Sequence, residues 1–325
     1  MIDESALAFL TLPLINDAHD RIKGHIHRTP VMSSHTLDAR TGTRLFFKCE
    51  NFQKVGAFKA RGAYNAVLSL PAEASARGVV THSSGNHGAA LALAARDRGI
   101  PAFVVMPSNT ALVKKRAVER YGARVTYCEP TLEAREADAA RIVEQTGASF
   151  VHPYNDPVVM AGQGTVALEF LEQVPELDAL ICPIGGGGHI SGVSVGAKSL
   201  RPTIRIIGAE PEAADDAFRS FTSQTLVASR DPRTIADGLR SSLGDKTFAV
   251  IRSKVDEIVT VSEQEIVAAM REVWEIMKMI IEPSSAVAVA AALKRDSTPR
   301  ERRIGIIISG GNVDLDQLPW MADKR

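Results

Sequence analysis

The chain has 325 residues, 45% of them hydrophobic and 23% charged, with 38 basic residues against 38 acidic ones. That length can bury a large core and suits two domains rather than one, and the composition excludes a disordered or fibrous protein. A formal charge of zero, without a long run of one sign, gives no footing for nucleic acid or an anionic membrane surface.

In chain order, residues 14–26 are expected as a helix, 29–31 as an extended piece and 44–50 as a strand. Lys59 then opens a helix that Ala63, Ala66, Val67 and Leu70 continue at spacings of three and four. Gly56, just upstream, permits a tight approach of the chain. A lysine at a helix N-terminus meets the positive end of the dipole, which lowers its pKa and favours the uncharged amine or a covalent bond through it. Taken alone, the stretch reads as a solvated lysine heading an amphipathic helix.

A short apolar strand over 78–82 runs into the turn Ser83-Ser84-Gly85-Asn86-His87-Gly88, and a helix is expected over 87–98. Strand 102–106, helix 110–121, strand 124–128, helix 132–147 and strand 149–152 follow. Strands separated by helices of this length signal parallel β-α-β units. A second series runs through helix 162–174, strand 179–184, Gly185 to Gly188, helix 190–200 and strand 205–209. Residues 220–234 are less regular. A long helix over 262–279, an alanine-rich helix over 283–293 and a buried strand over 304–308 lead into Ser309-Gly310-Gly311-Asn312.

Cys49, Cys128 and Cys182 are isolated and odd in number, which argues against a disulfide framework or a structural zinc site; they are expected as buried residues in strands. No basic segment precedes an apolar run near Met1, and no apolar run approaches the length of a membrane span. The expectation is a cytoplasmic protein.

The lysine stretch, the Ser83–Gly88 turn, the tetraglycine and the Ser309 motif, in this order over about 29–315, resemble the fold-type II pyridoxal-phosphate enzymes of the serine/threonine dehydratase and serine racemase branch. The resemblance implies an α/β architecture like that of the tryptophan synthase β chain, with two open, twisted, mostly parallel sheets and flanking helices. It places residues 76–151 as a small α/β domain inserted into a large cofactor-binding domain, 1–75 and 152–325. Lys59 becomes the residue that bonds pyridoxal 5'-phosphate, Phe58 the side chain against its ring, Asn86 a contact of its hydroxyl and Ser309 the partner of its pyridine nitrogen. Gly238 joins the cofactor contacts. Gly185, Gly186, Gly187 and Gly188 stand between an apolar strand and a helix, where backbone N–H groups close on an anion; neither a P-loop nor the dinucleotide fingerprint is present.

Ser83, Asn86 and His87 occupy a strand-to-helix turn that suits a substrate carboxylate, although Ser and Asn cap helices equally well. Ser84 matches the position that, in the racemases, faces the cofactor from the side opposite the lysine and serves as a second acid/base. Arg135 and Ser241 match positions reaching towards the substrate side chain; Arg135 also fits a solvated helix face beside Glu133 and Glu136. Glu210, the carbonyl of Ala214 and Asp216 match a divalent-cation site for Mg²⁺, Ca²⁺ or Mn²⁺, against the plainer reading that Asp215 or Asp216 caps the next helix. His189 departs from the usual Leu or Met; an imidazole there could touch the phosphate or widen acceptance of an anionic substrate, against the plainer reading of a satisfied, partly buried histidine without a role.

The implied activity is a β-hydroxy-amino-acid dehydratase (ammonia-lyase) that gives keto acid and ammonia from L-serine or L-threonine, with Ser84 permitting serine racemisation. 3-Hydroxyaspartate is the alternative substrate, since Arg135 can pair a second carboxylate. A β-replacement enzyme fits the Ser83–Gly88 and Glu210–Asp216 segments less well, and a non-catalytic amino-acid-binding module would not need Lys59. No regulatory domain is expected after the Ser309 motif. Nucleotide activation is not carried over, because Ser33-Ser34-His35 matches only in part. A homodimer is expected.

Overall fold

The computed structural model describes residues 7–83, 85–110, 112–294 and 302–324. Its described strands are β1 (Val31–Ser33), β2 (Arg44–Cys49), β3 (Val79–His82), β4 (Ala102–Pro107), β5 (Arg124–Cys128), β6 (Ser149–Phe150), β7 (Ala179–Pro183), β8 (Arg205–Pro211), β9 (Glu257–Val261) and β10 (Arg303–Ile308). They form two sheets, one in the order β1-β2-β10-β7-β8-β9 and one in the order β5-β4-β3-β6. Only the β1–β2 pair is antiparallel; the other neighbours in both sheets are parallel. In sequence, all four strands of the smaller sheet fall between β2 and β7 of the larger one. The expected α/β architecture is therefore present.

Parallel strands with helices on both faces lose their polar alternation. Every residue of β3, β4 and β7 is buried, and β10 is buried from Ile304 to Ile308. The three cysteines are free and buried, one each in β2, β5 and β7. No helix among the described residues is long and apolar enough to cross a membrane.

Two departures have local causes. The helix expected from 162 begins at Pro157, because Asp156 caps it by accepting from Val158 N and Val159 N at 2.8 and 3.4 Å; an acidic cap followed by Pro is a start signal. The helix expected to run to 279 is regular only over Glu263–Glu272, then widens into a π turn, Val273–Met277, closed by Lys278 at φ 57. Helices His35–Thr41 and Asp245–Lys254 and strand β9 are additional elements, and the region expected to be irregular, 220–234, opens on the end of a helix, Asp216–Ser223.

Beneath the lysine helix, Lys59–Ser69, four charged side chains are almost fully buried: Lys48 and Glu50 from the end of β2, Arg61 from the helix and Glu169 from the helix Pro157–Gln173. Arg61 donates to both Glu169 oxygens at 2.8 Å and to Glu50 at 2.7 and 2.8 Å. Lys48 donates to Glu169 at 2.7 Å, to Gln173 at 2.9 Å and to the Thr29 carbonyl at 2.9 Å. Two cations face two anions, and every hydrogen bond is charge-assisted. Burial opposes the guanidinium charge of Arg61, and Glu50 with Glu169 outweighs it, so its pKa is raised. Removing one member leaves the others uncompensated, which costs about 3–5 kcal/mol. Glu169→Ala should therefore lower the urea unfolding midpoint sharply; a midpoint unchanged from the parent would show that the cluster relaxes without it.

Candidate active site

In open parallel sheets, ligands bind beyond the carboxyl ends of the strands. Three such ends meet here: β3 leads to Ser83 and Gly85–His87, β7 into Gly185–Gly188 and β10 into Ser309. They border one cavity of about 480 Å³, also lined by Phe58, Lys59, Arg135, Gly238 and Ser241. The described residues expected at cofactor and substrate thus come together. Ser84 lies outside the described residues.

The approach to Lys59 is a strained turn. Val55 and Gly56 both hold positive φ, 56° and 68°, and for a β-branched residue this is an uncommon conformation costing about 1–3 kcal/mol. The Ser309 motif clamps it: Asn312 Nδ2 donates to the Val55 carbonyl at 2.7 Å, Gly311 N to the Gly56 carbonyl at 2.9 Å and Phe58 N to the Ser309 carbonyl at 2.9 Å. Lys59 Nζ donates to the Pro153 carbonyl at 2.8 Å and lies 5.2 Å from the centroid of the Phe58 ring. Desolvation lowers its pKa from 10.5 to about 8.

The tetraglycine follows β7 and starts the helix Gly188–Leu200. A Cβ on Gly186 would stand 2.4 Å from the Tyr154 ring, and Gly187 sits at φ 85, so only glycine fits at these two positions. On the opposite wall, Ser83 Oγ accepts from Gly85 N and Gly88 N at 3.1 and 3.0 Å. Its hydroxyl therefore caps the turn while lining the cavity. Asn86 donates to Glu282 at 2.9 Å and accepts from Asn312 at 3.0 Å. Ser309 Oγ is 3.0 Å from Ser285 Oγ, which also donates to the Gly310 carbonyl at 2.6 Å. Gly238 N donates to Ser284 Oγ at 3.0 Å.

His87 and His189 are buried and held neutral, first by desolvation and then by the nearby Lys59 charge. The expectation of a satisfied His189 is corrected: it is 6% exposed, and neither ring nitrogen has a hydrogen-bond partner. Its ring lies flat on Phe58, centroids 3.8 Å apart and planes 11° apart. Arg135 is half-buried, with Nε donating to the Thr131 carbonyl at 3.1 Å.

Sequence reasoning passed over Glu282, Tyr154 and the Lys114–Asp237 ion pair, all on the cavity wall. Burial pushes Glu282 up to about 7, and its Oε2 has no protein partner. A lone acid between Ile281 and Pro283 was the available signal.

Glu210 and Asp216 lie away from the cavity lining. Glu210 accepts from Ala217 N and Phe218 N at 3.0 and 2.8 Å, so it, and not Asp215 or Asp216, caps the helix Asp216–Ser223. Asp216 Oδ2 accepts from Leu243 N at 3.1 Å, and its buried Oδ1 has no partner. Among the described residues no group of three or more His, Cys, Asp or Glu side chains is placed to hold a metal.

Residues 22–310 match the family described as "pyridoxal-phosphate dependent enzyme". The chain belongs to that family. It is 53% identical over 315 residues to the serine racemase of Arabidopsis thaliana, covering 95% of each chain. It is 52% identical over 303 residues to the beta-hydroxyaspartate dehydratase of Paracoccus denitrificans, covering 93% of this chain and 96% of that one. The structure of maize serine racemase superposes with a TM-score of 0.94 at 48% identity, over 97% of both chains. The residues present fit the cofactor: a desolvated lysine amine, a glycine turn at a helix N-terminus and buried polar atoms without protein partners face one cavity.

Only the uncharged amine of Lys59 attacks an aldehyde, so bonding of pyridoxal phosphate by the apoenzyme should accelerate as pH rises and level off with a midpoint near 8. Stopped-flow absorbance measures this. A midpoint near 10.5, the ordinary lysine value, would show that the amine is not desolvated.

Proposed function

We propose that the protein is a β-hydroxy-amino-acid dehydratase that releases keto acid and ammonia from L-serine or L-threonine and also interconverts the serine enantiomers. The observation that carries the reading is the meeting of the Lys59 amine, the tetraglycine turn and the Ser83–His87 turn in one cavity. Pyridoxal phosphate, when bound, supplies the electron sink that makes the substrate Cα–H acidic. Phe58, Asn86, Gly185 to Gly188, Gly238 and Ser309 hold it. The Ser83–His87 turn holds the substrate carboxylate, with Ser241 towards its side chain.

Lys59 Nζ takes the Cα proton on its own face. The β-hydroxyl departs with a proton as water, and the enamino acid left behind hydrolyses to keto acid and ammonia. Ser84, matched by resemblance to the racemases' residue opposite the lysine, is proposed as the second acid/base. A proton that leaves to Lys59 and returns from Ser84 inverts the centre without elimination.

The discriminating assay offers L-serine, D-serine, L-threonine and each 3-hydroxyaspartate isomer, with keto acid and enantiomer both measured. Ser84→Ala should cut racemisation and D-serine elimination ~10²–10⁴-fold while sparing L-serine elimination. Equal losses for both hands would reduce Ser84 to a turn residue. Absence of keto acid from every substrate would remove the dehydratase reading. A second reading, 3-hydroxyaspartate as the preferred substrate, is favoured by Arg135 on the cavity wall, whose fork suits a second carboxylate; the same panel decides it.

Glu210, the Ala214 carbonyl and Asp216 are proposed to hold Mg²⁺, or Ca²⁺ or Mn²⁺, with waters completing the shell. The partnerless Asp216 Oδ1 supports this. Chelation should lower the melting temperature and Mg²⁺ restore it, with no such response in Asp216→Ala; wild-type indifference to chelator would leave the carboxylates a purely structural pair. A small domain, 76–151, inserted into a large one, 1–75 with 152–325, is part of the proposal; the separation of the described strands into two sheets supports it. A cytoplasmic homodimer is the proposed working form, to be tested by sedimentation velocity and cell fractionation.

A further inference from the structure

His189 is the residue that the family reading leaves without a task. It follows the tetraglycine directly, in the first turn of the thirteen-residue helix Gly188–Leu200. It lines the cavity, is 94% buried, and neither of its ring nitrogens has a partner. A neutral imidazole always carries one N–H donor and one acceptor nitrogen. Leaving such groups buried and unmatched costs free energy that a bound partner recovers.

The surroundings say what kind of partner. Burial first, and then the positive charge of Lys59, keep the ring neutral; Arg61 adds little, because Glu50 and Glu169 balance it. A neutral donor beside the Lys59 charge favours an anion as its partner. The helix N-terminus at Gly188 has the same preference. Stacking on Phe58 across 3.8 Å holds the ring flat, so the donor is pre-oriented.

We infer that His189 donates a ring N–H hydrogen bond to the phosphate of the bound cofactor, adding a side-chain anchor to the backbone cradle of Gly185–Gly188. The inference rests on the cofactor reading above and extends it to a residue of this chain that resemblance does not assign. His189 is then an affinity and positioning residue. It takes no part in moving the substrate proton.

The test compares apoenzymes of the wild type, His189→Phe, which keeps the stacked ring but loses the donor, and His189→Gln, which keeps a donor but loses the ring. Each is titrated with pyridoxal phosphate and with pyridoxal, which lacks the phosphate, by fluorescence. Thermal unfolding in inorganic phosphate is recorded alongside. In His189→Phe, affinity for pyridoxal phosphate should fall roughly 10- to 100-fold, the range of a hydrogen bond to a charged group. Affinity for pyridoxal should stay the same, and stabilisation by inorganic phosphate should shrink. His189→Gln should recover part of the phosphate-dependent loss.

Equal weakening of both ligands in His189→Phe would overturn the inference and leave His189 as a wall for the ring. So would unchanged binding of pyridoxal phosphate. Borohydride reduction followed by mass spectrometry separates the two layers of the argument. A Lys59 adduct in wild type with no phosphate-dependent change in the variants sinks the His189 inference alone. No Lys59 adduct in wild type sinks the cofactor reading and this inference together.

Discussion

Arg61 is the side chain on which the geometry of the site depends. It is two residues beyond Lys59, fully buried, and bonded at once to β2 through Glu50 and to the helix Pro157–Gln173 through Glu169. A buried ion pair contributes little net stability relative to apolar packing. What it supplies here is position: the guanidinium fork accepts only a narrow range of approach for its carboxylates. The helix that carries Lys59 is therefore held at its first turn by directional bonds, and the lysine amine inherits that placement. Lys48 completes the balance of charge, so the cluster can sit in the core without a net ion.

A second constraint acts from the other side of Lys59. The positive φ of Val55 and Gly56 turns the chain abruptly before the helix, and the Ser309 motif accepts and donates the bonds that hold the turn. Asn312 also bonds Asn86, so the ends of β3 and β10 and the approach to the lysine share one hydrogen-bonded knot. Strain of this kind persists only where the surroundings over-determine it. The motifs at Lys59, Asn86 and Ser309 are far apart in sequence but form one mechanical unit.

Much of this is legible in local pattern. The alternation of apolar strands with helices announces the parallel sheets, and the glycines after β7 announce the turn between that strand and the next helix. What stayed hidden depends on partners distant in sequence. Nothing local in Glu169 or Lys48 says that each neutralises the other across 121 residues. Asp215 and Asp216 read as the alternative caps of the next helix; the capping belongs to Glu210, six residues before that helix begins, which accepts from Ala217 N and Phe218 N. The π turn at Val273–Met277 escaped detection because the hydrophobic spacing through it is still helical.

The titratable groups around the cavity show why burial there serves chemistry rather than stability alone. Desolvation brings the Lys59 amine down to about 8 and the Glu282 carboxyl up to about 7, from ordinary values six units apart. It lowers His82 and His152 to about 4 and keeps His87 and His189 neutral. On the wall, Asp237 is paired with Lys114, and burial favours the uncharged form of Glu282, which offsets much of the negative charge that would oppose an anionic ligand. The packing of Phe58, Tyr154 and the glycine turn that shapes the cavity also buries these groups, so one arrangement of the chain sets both the binding surface and the titration of its side chains.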